Sequence, residues 1–267
     1  MRKLVSFLLA LVAWSAQAQN EVEALRYGQY EGMFSARSLG MGGAFGAAGG
    51  DASAFYLNPA GLGVFRRGMA EISFGLGDAT NKSNYVGNSK LDAKTSFQLN
   101  HACLVGMSSA SGGSKRFNYG VSYAKLNSFH ENVLIEGNAQ STLLIPFALQ
   151  ANGTSTDAIY DALPWTSALA YDTYALDLDD TAQVLYRYNA NGSALQRKQI
   201  TRSGAQGETA FGLGWTNGDQ WYFGLSLKMM SIRFDEDATH GETFSDSSDV
   251  RSFTYHESLS TTGTGFN

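Results

Sequence analysis

The sequence predicts an all-β fold: a transmembrane antiparallel β-barrel with a small helical N-terminal plug, the chain covering only part of the barrel. Three observations lead there. Several segments alternate with period two, large apolar side chains facing one way and Gly, Ala, Ser or Asn the other. Charged residues make up 16% of the chain, against about 25% in ordinary soluble domains, while glycine reaches 30 residues and proline only 3. A stretch of small residues, 36–62, precedes the first alternating segment and has a different period.

Taken in order, Met1-Arg2-Lys3 is a basic start, Leu4 to Trp14 an apolar run, and Ala16-Gln17-Ala18 a small-x-small cleavage site. This is the pattern of an export signal, residues 1–18, and the run is far short of the roughly 20 residues a spanning helix needs. Residues 20–35 space Tyr27, Tyr30 and Phe34 by three and four, which suits a short helix leading into the plug. The plug is assigned to 19–66. In it Gly42, Gly46 and Gly50 recur every fourth position, as do Gly43 and Ala47. On a helix that spacing leaves one face nearly bare, open to close approach by another backbone. Asn58-Pro59 then reads as a helix start, Asn capping and Pro in the first turn, running through Ala60-Gly61-Leu62.

From 67 to 267 the pattern is that of strands. Ala70, Ile72, Phe74 and Leu76 alternate with Glu71, Ser73 and Gly75. In Thr95 to Met107, Phe97, Leu99, Cys103, Val105 and Met107 are assigned to one face, with His101 on the same side. Phe117, Tyr119, Val121 and Tyr123 oppose Asn118, Gly120, Ser122 and Ala124. Phe211, Leu213 and Trp215, then Trp221, Phe223, Leu225, Leu227 and Met229, oppose mostly Gly, Ala and Ser, with a turn at Asn217-Gly218-Asp219. A face of Gly, Ala, Ser and Asn makes a poor solvent surface but a suitable wall against a plug, so the large side chains are read as facing lipid. Trp215, Trp221 and Tyr123 fit interfacial positions.

Residues 128–206 read as a long outer loop. Thr142 to Leu149 is apolar without alternation, Asn152 to Asp157 suits a helix cap, and Asn191-Gly192 suggests a hairpin between Val184–Asn189 and Leu195–Thr201. Residues 235–249 are acidic and Ser-rich and are expected to form a solvated loop. Leu259 to Asn267 reads as a strand beginning.

Other functions find little footing. A Gly-x-Gly-x-x-Gly match from Gly40 fails at Phe45, with no Gly-Lys-Ser/Thr following. The EF-hand spacing fails at His240, and the four histidines form no metal or triad motif. No catalysis, cofactor or metal is expected. A net charge of −5 without a basic cluster argues against nucleic acid. One cysteine, Cys103, cannot form an internal disulfide.

Ser35 to Phe45, the Asp51-Ala52-Ser53-Ala54 run and Asn58-Pro59-Ala60-Gly61-Leu62, in that order and spacing, resemble the plug of the FadL/TodX family of outer-membrane transporters for long-chain fatty acids and other hydrophobic compounds. The PorV-like outer-membrane proteins of a secretion system carry a similar plug and barrel. The first resemblance implies a monomer in outer-membrane lipid that admits hydrophobic molecules passively; the second, a protein-binding component. On the transport reading, Leu143, Leu144, Ile145, Phe147 and Leu149 capture ligand, and Gly42, Gly43, Gly46, Asn58, Pro59 and Ala60 form the gate. The chain has material for roughly six to eight strands of about ten residues, and a closed barrel of that size has no room for a plug, so an incomplete barrel is expected.

Overall fold

The structure is a computed structural model that describes residues 21–30, 35–109, 115–179, 184–190, 192–218, 220–245 and 249–266. The export signal (1–18), Phe34, Asn191 and Asp219 lie outside these residues. Strands come in chain order as β1 (Met69–Tyr85), β2 (Asn88–Ser109), β3 (Lys115–Ser128) and β4 (Glu131–Ala139), a small separate pair β5 (Leu176–Leu178) and β6 (Tyr186–Tyr188), then β7 (Ala194–Asn217), β8 (Trp221–Phe244) and β9 (Ser252–Phe266). Seven of them form one antiparallel sheet ordered β1-β2-β3-β7-β8-β9. β4 continues along the β7 edge that β3 leaves, pairing Glu131 to Ala139 with Arg202 to Ala194. Among the described residues the sheet is open, β1 pairing only with β2 and β9 only with β8.

Several strands outrun the alternating cores that announce them. β1 and β2 meet at a two-residue turn, Val86-Gly87, with φ of 46° and 76° at its two positions, the left-handed pair that matches the twist of a hairpin. Asp235 to Phe244, expected as a loop, continues β8, because each residue there has a register partner on β7. The expected loop 128–206 likewise contains β4 and the upper half of β7, so the loop proper spans 140–193. The hairpin expected around Asn191-Gly192 does not form: Tyr186–Tyr188 pairs with Leu176–Leu178 instead. The turn at Asn217-Gly218 joins β7 to β8 as expected.

Facing across β3, β7 and β8 follows the alternation. Phe117, Trp215 and Phe223 form one outward row, Tyr119, Leu213 and Leu225 the next, Val121, Phe211 and Leu227 a third. All nine are exposed or half-exposed, and Leu76 on β1 reaches 77%. Beyond Met229 the outward positions turn polar, with Arg233 paired to Asp235 at 2.9 Å.

β2 departs from its predicted face. The register between β1 and β2 shifts at Ser73/Phe74, where Asn100 is an extra residue between Leu99 and His101. Such a bulge reverses the parity of every following side chain. Phe97 and Leu99 therefore point outward with Phe74, whose ring stacks on Phe97 at 5.3 Å, while His101, Cys103 and Val105 turn inward. Leu104 takes the outward place at 59% exposure, against 2% for Val105. The lone Cys103 should thus resist a hydrophobic maleimide in the folded, detergent-solubilised protein. Leu104→Cys in a Cys103→Ala background should label readily. Equal labelling at both positions would mean that the bulge is absent.

Candidate functional site

The inner face of the sheet receives the N-terminal segment. Among the described residues four helical pieces precede β1: α1 (Glu21–Gly28), α2 (Ala36–Gly40), α3 (Ala54–Leu57) and a 3-10 turn at Pro59–Val64. Ser35 caps α2, its Oγ accepting from the Ser38 N–H at 3.0 Å while donating to the buried Asp51 carboxylate at 2.8 Å. Asn58 plays the expected part: its Oδ1 accepts from the Ala60 N–H at 3.2 Å, and Pro59 sits in the first turn. Its Nδ2 donates to the Gly46 carbonyl at 2.9 Å, tying the preceding loop to this cap.

The glycine repeat, whose bare face required a helix, does not form one. α2 stops at Gly40, and Gly42 and Gly43 take φ of 63° and 79°, the left-handed region that turns the chain rather than continuing a helix. Among the described residues a Cβ on Gly42, Gly43 or Gly46 would meet nothing within 4 Å. Close approach occurs elsewhere. Inside the plug it is Gly49 against Gly61, where a Cβ on Gly49 would come within 2.8 Å of the Gly61 Cα. Against the sheet, the bare residues belong to the wall. A Cβ on Gly212 would fall 2.7 Å from Phe55 Cδ1, one on Gly214 2.6 Å from the Gly63 nitrogen, and one on Gly224 would run into the Pro59 carbonyl. Gly224 and Gly212 had been read only as the small side of an alternation. That small side was the available signal for the docking face.

Phe55 and Leu62, buried at 0% and 1%, fill the space these glycines leave, packed with Ala52, Phe65, Val105 and Ala210. Around this apolar centre the polar groups of plug and wall satisfy one another. Asn118 Nδ2 donates to the Leu62 and Phe65 carbonyls at 2.6 and 3.1 Å. Tyr56 Oη donates to the Glu208 carbonyl at 3.2 Å and lies 3.1 Å from Ser122 Oγ, and Lys228 Nζ donates to the Tyr56 carbonyl at 3.1 Å. Further up the wall, α1 also lies on the inner face, the Arg26 guanidinium 4.0 Å over the Phe234 ring and Tyr27 edge-on to Phe129.

The wall has a break above the plug. β2 pairs with β3 only from His101 to Ser109, so its upper half, paired with β1 on one side, meets β3 on the other through side chains. Lys125 Nζ donates to Gln98 Oε1 across the break, and Gln98 Nε2 to Ser128 Oγ at 2.8 Å. Gln98, Asn100, Lys125, Ser128 and His130 line a cavity of about 350 Å³ there.

The expected capture residues occupy α4 (Leu144–Ala151) and its N-cap, Leu143. α4, α5 (Ile159–Ala162) and α6 (Ser167–Asp172) form a lid with a core of its own, Leu144, Phe147, Ile159, Leu176, Tyr186 and Phe244 among its members. The structure divides the five. Leu143, Leu144 and Phe147 face two adjoining cavities of about 260 and 390 Å³ between the lid and β9, with Tyr255 and Thr166 lining both. Ile145 lines neither, and Leu149 is 66% exposed.

One carboxylate fastens this lid to the sheet. Glu242 Oε1, buried beneath α4, accepts from the Leu143 N–H at 2.8 Å and from Gln196 Nε2 at 3.0 Å, and lies 2.8 Å from His240 Nε2. Burial opposes its charge, but hydrogen bonds from His240, Thr142 and the Leu143 N–H outweigh that and hold the carboxyl below its ordinary range. Among the described residues no group of three His, Cys, Asp or Glu is placed to hold a metal ion.

Two outcomes follow. Gly224→Ala should unseat the plug at a cost of about 1 to 3 kcal/mol and loosen α2, so that trypsin cuts faster after Arg37, which is exposed but held in that helix, whereas Gly46→Leu should leave the cleavage rate unchanged; the reverse order would place the close contact in the plug after all. Because the folded carboxyl of Glu242 is depressed, its contribution is full at neutral pH and disappears as pH falls below about 4, the ordinary carboxylate range. A fluorophore on Leu149→Cys, in a Cys103→Ala background, should report the lid loosening over that acid range. Glu242→Ala should loosen it by about 1 to 3 kcal/mol at neutral pH and remove the acid transition.

No family model matches the chain, and comparison with curated proteins and with solved structures gives no match.

Proposed function

We propose that the chain is the plug-bearing part of an outer-membrane conduit that admits hydrophobic small molecules passively, exported by a cleaved signal and gated by the plug. The observation that carries this reading is the two-sidedness of one sheet. Its outward rows from Phe117 to Tyr123 and from Trp221 to Met229 are large and exposed, while its inward positions are small and covered by a plug. Soluble monomers rarely expose contiguous apolar patches beyond a few hundred Å². Trp221 to Met229 are nine residues, the lower end of the roughly nine to eleven that a tilted strand needs to cross the apolar band of an outer membrane.

The lid cavities are the capture site, Leu144 and Phe147 offering apolar walls within a closed fold. In the gate, Asn58, Pro59 and Ala60 hold the seat against Gly224, and Gly42, Gly43 and Gly46 lie in the turns that fold the plug's first half back on the cap. The wall break bridged by Lys125 and Gln98 gives such a ligand a second opening beside the seat.

A second reading, a protein-binding component of a secretion system, draws on the lid's outer surface. Leu149, Trp165 and Tyr174 are exposed there, the last two at 77% and 78%. Uptake separates the two readings. In cells carrying the full-length protein, Leu144→Asp and Phe147→Asp should each lower initial uptake of a labelled fatty acid on the order of ten-fold, since a carboxylate in an apolar cavity repels an apolar ligand. Leu149→Asp should not. Unchanged uptake in the first two variants, with the protein present and folded, would remove the capture role; co-purification of exported proteins that Trp165→Asp abolishes would favour the second reading.

A further inference from the structure

The outward face of the sheet changes character at its short-turn end. Lys115, Asn217 and Trp221 are register partners across β3, β7 and β8, one row below Phe117, Trp215 and Phe223. Lys115 and Trp221 are exposed, and the Trp215 indole stacks on Phe223 at 5.4 Å. Arg66 and Arg67, both exposed, lie at the same end, between the plug and the start of β1. One carboxylate, Asp219, falls in the neighbouring turn by sequence. Past the apolar rows, in contrast, the outward face carries both signs: Asp78, Lys82, Arg233 and Asp235.

At this rim exposed cations adjoin the apolar rows of β3, β7 and β8. A free anion could satisfy Lys115 but would leave Phe117 and Trp221 unused, whereas an anionic head joined directly to hydrocarbon uses all three. Tryptophan prefers the boundary between hydrocarbon and headgroups, and lysine is a common point-charge partner for phosphate. We infer that this rim seats the phosphodiester headgroups of anionic phospholipids in the surrounding leaflet. Lys115 and Arg67 contact the phosphate, and Trp215 and Trp221 lie against the upper acyl chains. The inference rests on the membrane reading above and adds to it a lipid partner and a direction, the short-turn end facing the phospholipid-rich leaflet.

The test uses the mature chain, from residue 19 onward, with Trp165 replaced by Phe, reconstituted into vesicles. Quenching of the remaining Trp215 and Trp221 by brominated phosphatidylglycerol is compared with quenching by brominated phosphatidylcholine. Each basic residue near a membrane surface favours an anionic lipid about five-fold, so a clear preference for phosphatidylglycerol is expected, falling about five-fold in Lys115→Gln and again in Arg67→Gln/Lys115→Gln. Arg233→Gln, beyond the opposite edge of the band, should keep it. Equal quenching by the two lipids, or a preference that the double variant retains, would overturn the inference while leaving the membrane reading intact. Loss of the preference in millimolar inorganic phosphate would assign the site to a free anion and also overturn it. Quenching by neither lipid would overturn the membrane reading itself.

Discussion

The fold depends on a wall stripped of side chains where the plug must sit. Phe55, Leu62 and the Pro59-Ala60 peptide approach β7 and β8 so closely that a single methyl group on Gly212, Gly214 or Gly224 has nowhere to go. Backbone contact of this kind is paid for in the strands, since glycine weakens a sheet's intrinsic preference for its own conformation. The offset comes from the plug. Buried aromatic and aliphatic groups at Phe55 and Leu62 exclude water from the glycine surface, and Asn118 and Tyr56 satisfy polar groups that docking removes from solvent. Plug and wall are thus each incomplete alone, and it is their mutual fit that leaves the outward side free to be apolar.

That division of faces explains the long strands as well. A crossing strand needs only about nine to eleven residues, yet β7 and β8 are each 24 residues long. Their lower halves carry the exposed apolar rows, and their upper halves carry polar outward positions and, inward, Lys198, His240 and Glu242. The upper half is therefore a pedestal for the lid. Glu242 is its most constrained member, since a buried carboxylate is tolerable only with the donors it has from Leu143 and Gln196.

Much of this was legible in the residues. The strand cores from Phe117 to Tyr123 and Trp221 to Met229 were plain because one face is large and the other small. The Asn58-Pro59 start was plain because capping is local chemistry. What sequence could not supply was anything that depends on a partner across space. One extra residue at Asn100 leaves the apolar composition of β2 unchanged but reverses which side chains are buried. The glycine repeat in the plug offered a contact face on a helix, whereas the close backbone contacts fall between Gly49 and Gly61 and at the wall glycines of β7 and β8. Tyr186–Tyr188 paired with Leu176–Leu178 because tertiary position overrode a favourable Asn-Gly turn. The acidic run from Asp235 looked like solvent-exposed loop because charge is a poor guide where a strand extends beyond the apolar band.

The central claim is that one sheet presents hydrocarbon outside and a plug inside. Spin labels placed singly along β8 in the full chain reconstituted in bilayers test it most directly. Between Trp221 and Met229, labels at odd positions should be accessible to oxygen and shielded from a water-soluble nickel reagent, and those at Ser226 and Lys228 shielded from both. Above Ser231 the odd positions should become accessible to nickel. Nickel accessibility at the odd positions from Trp221 to Met229 would place that face in water and contradict the account.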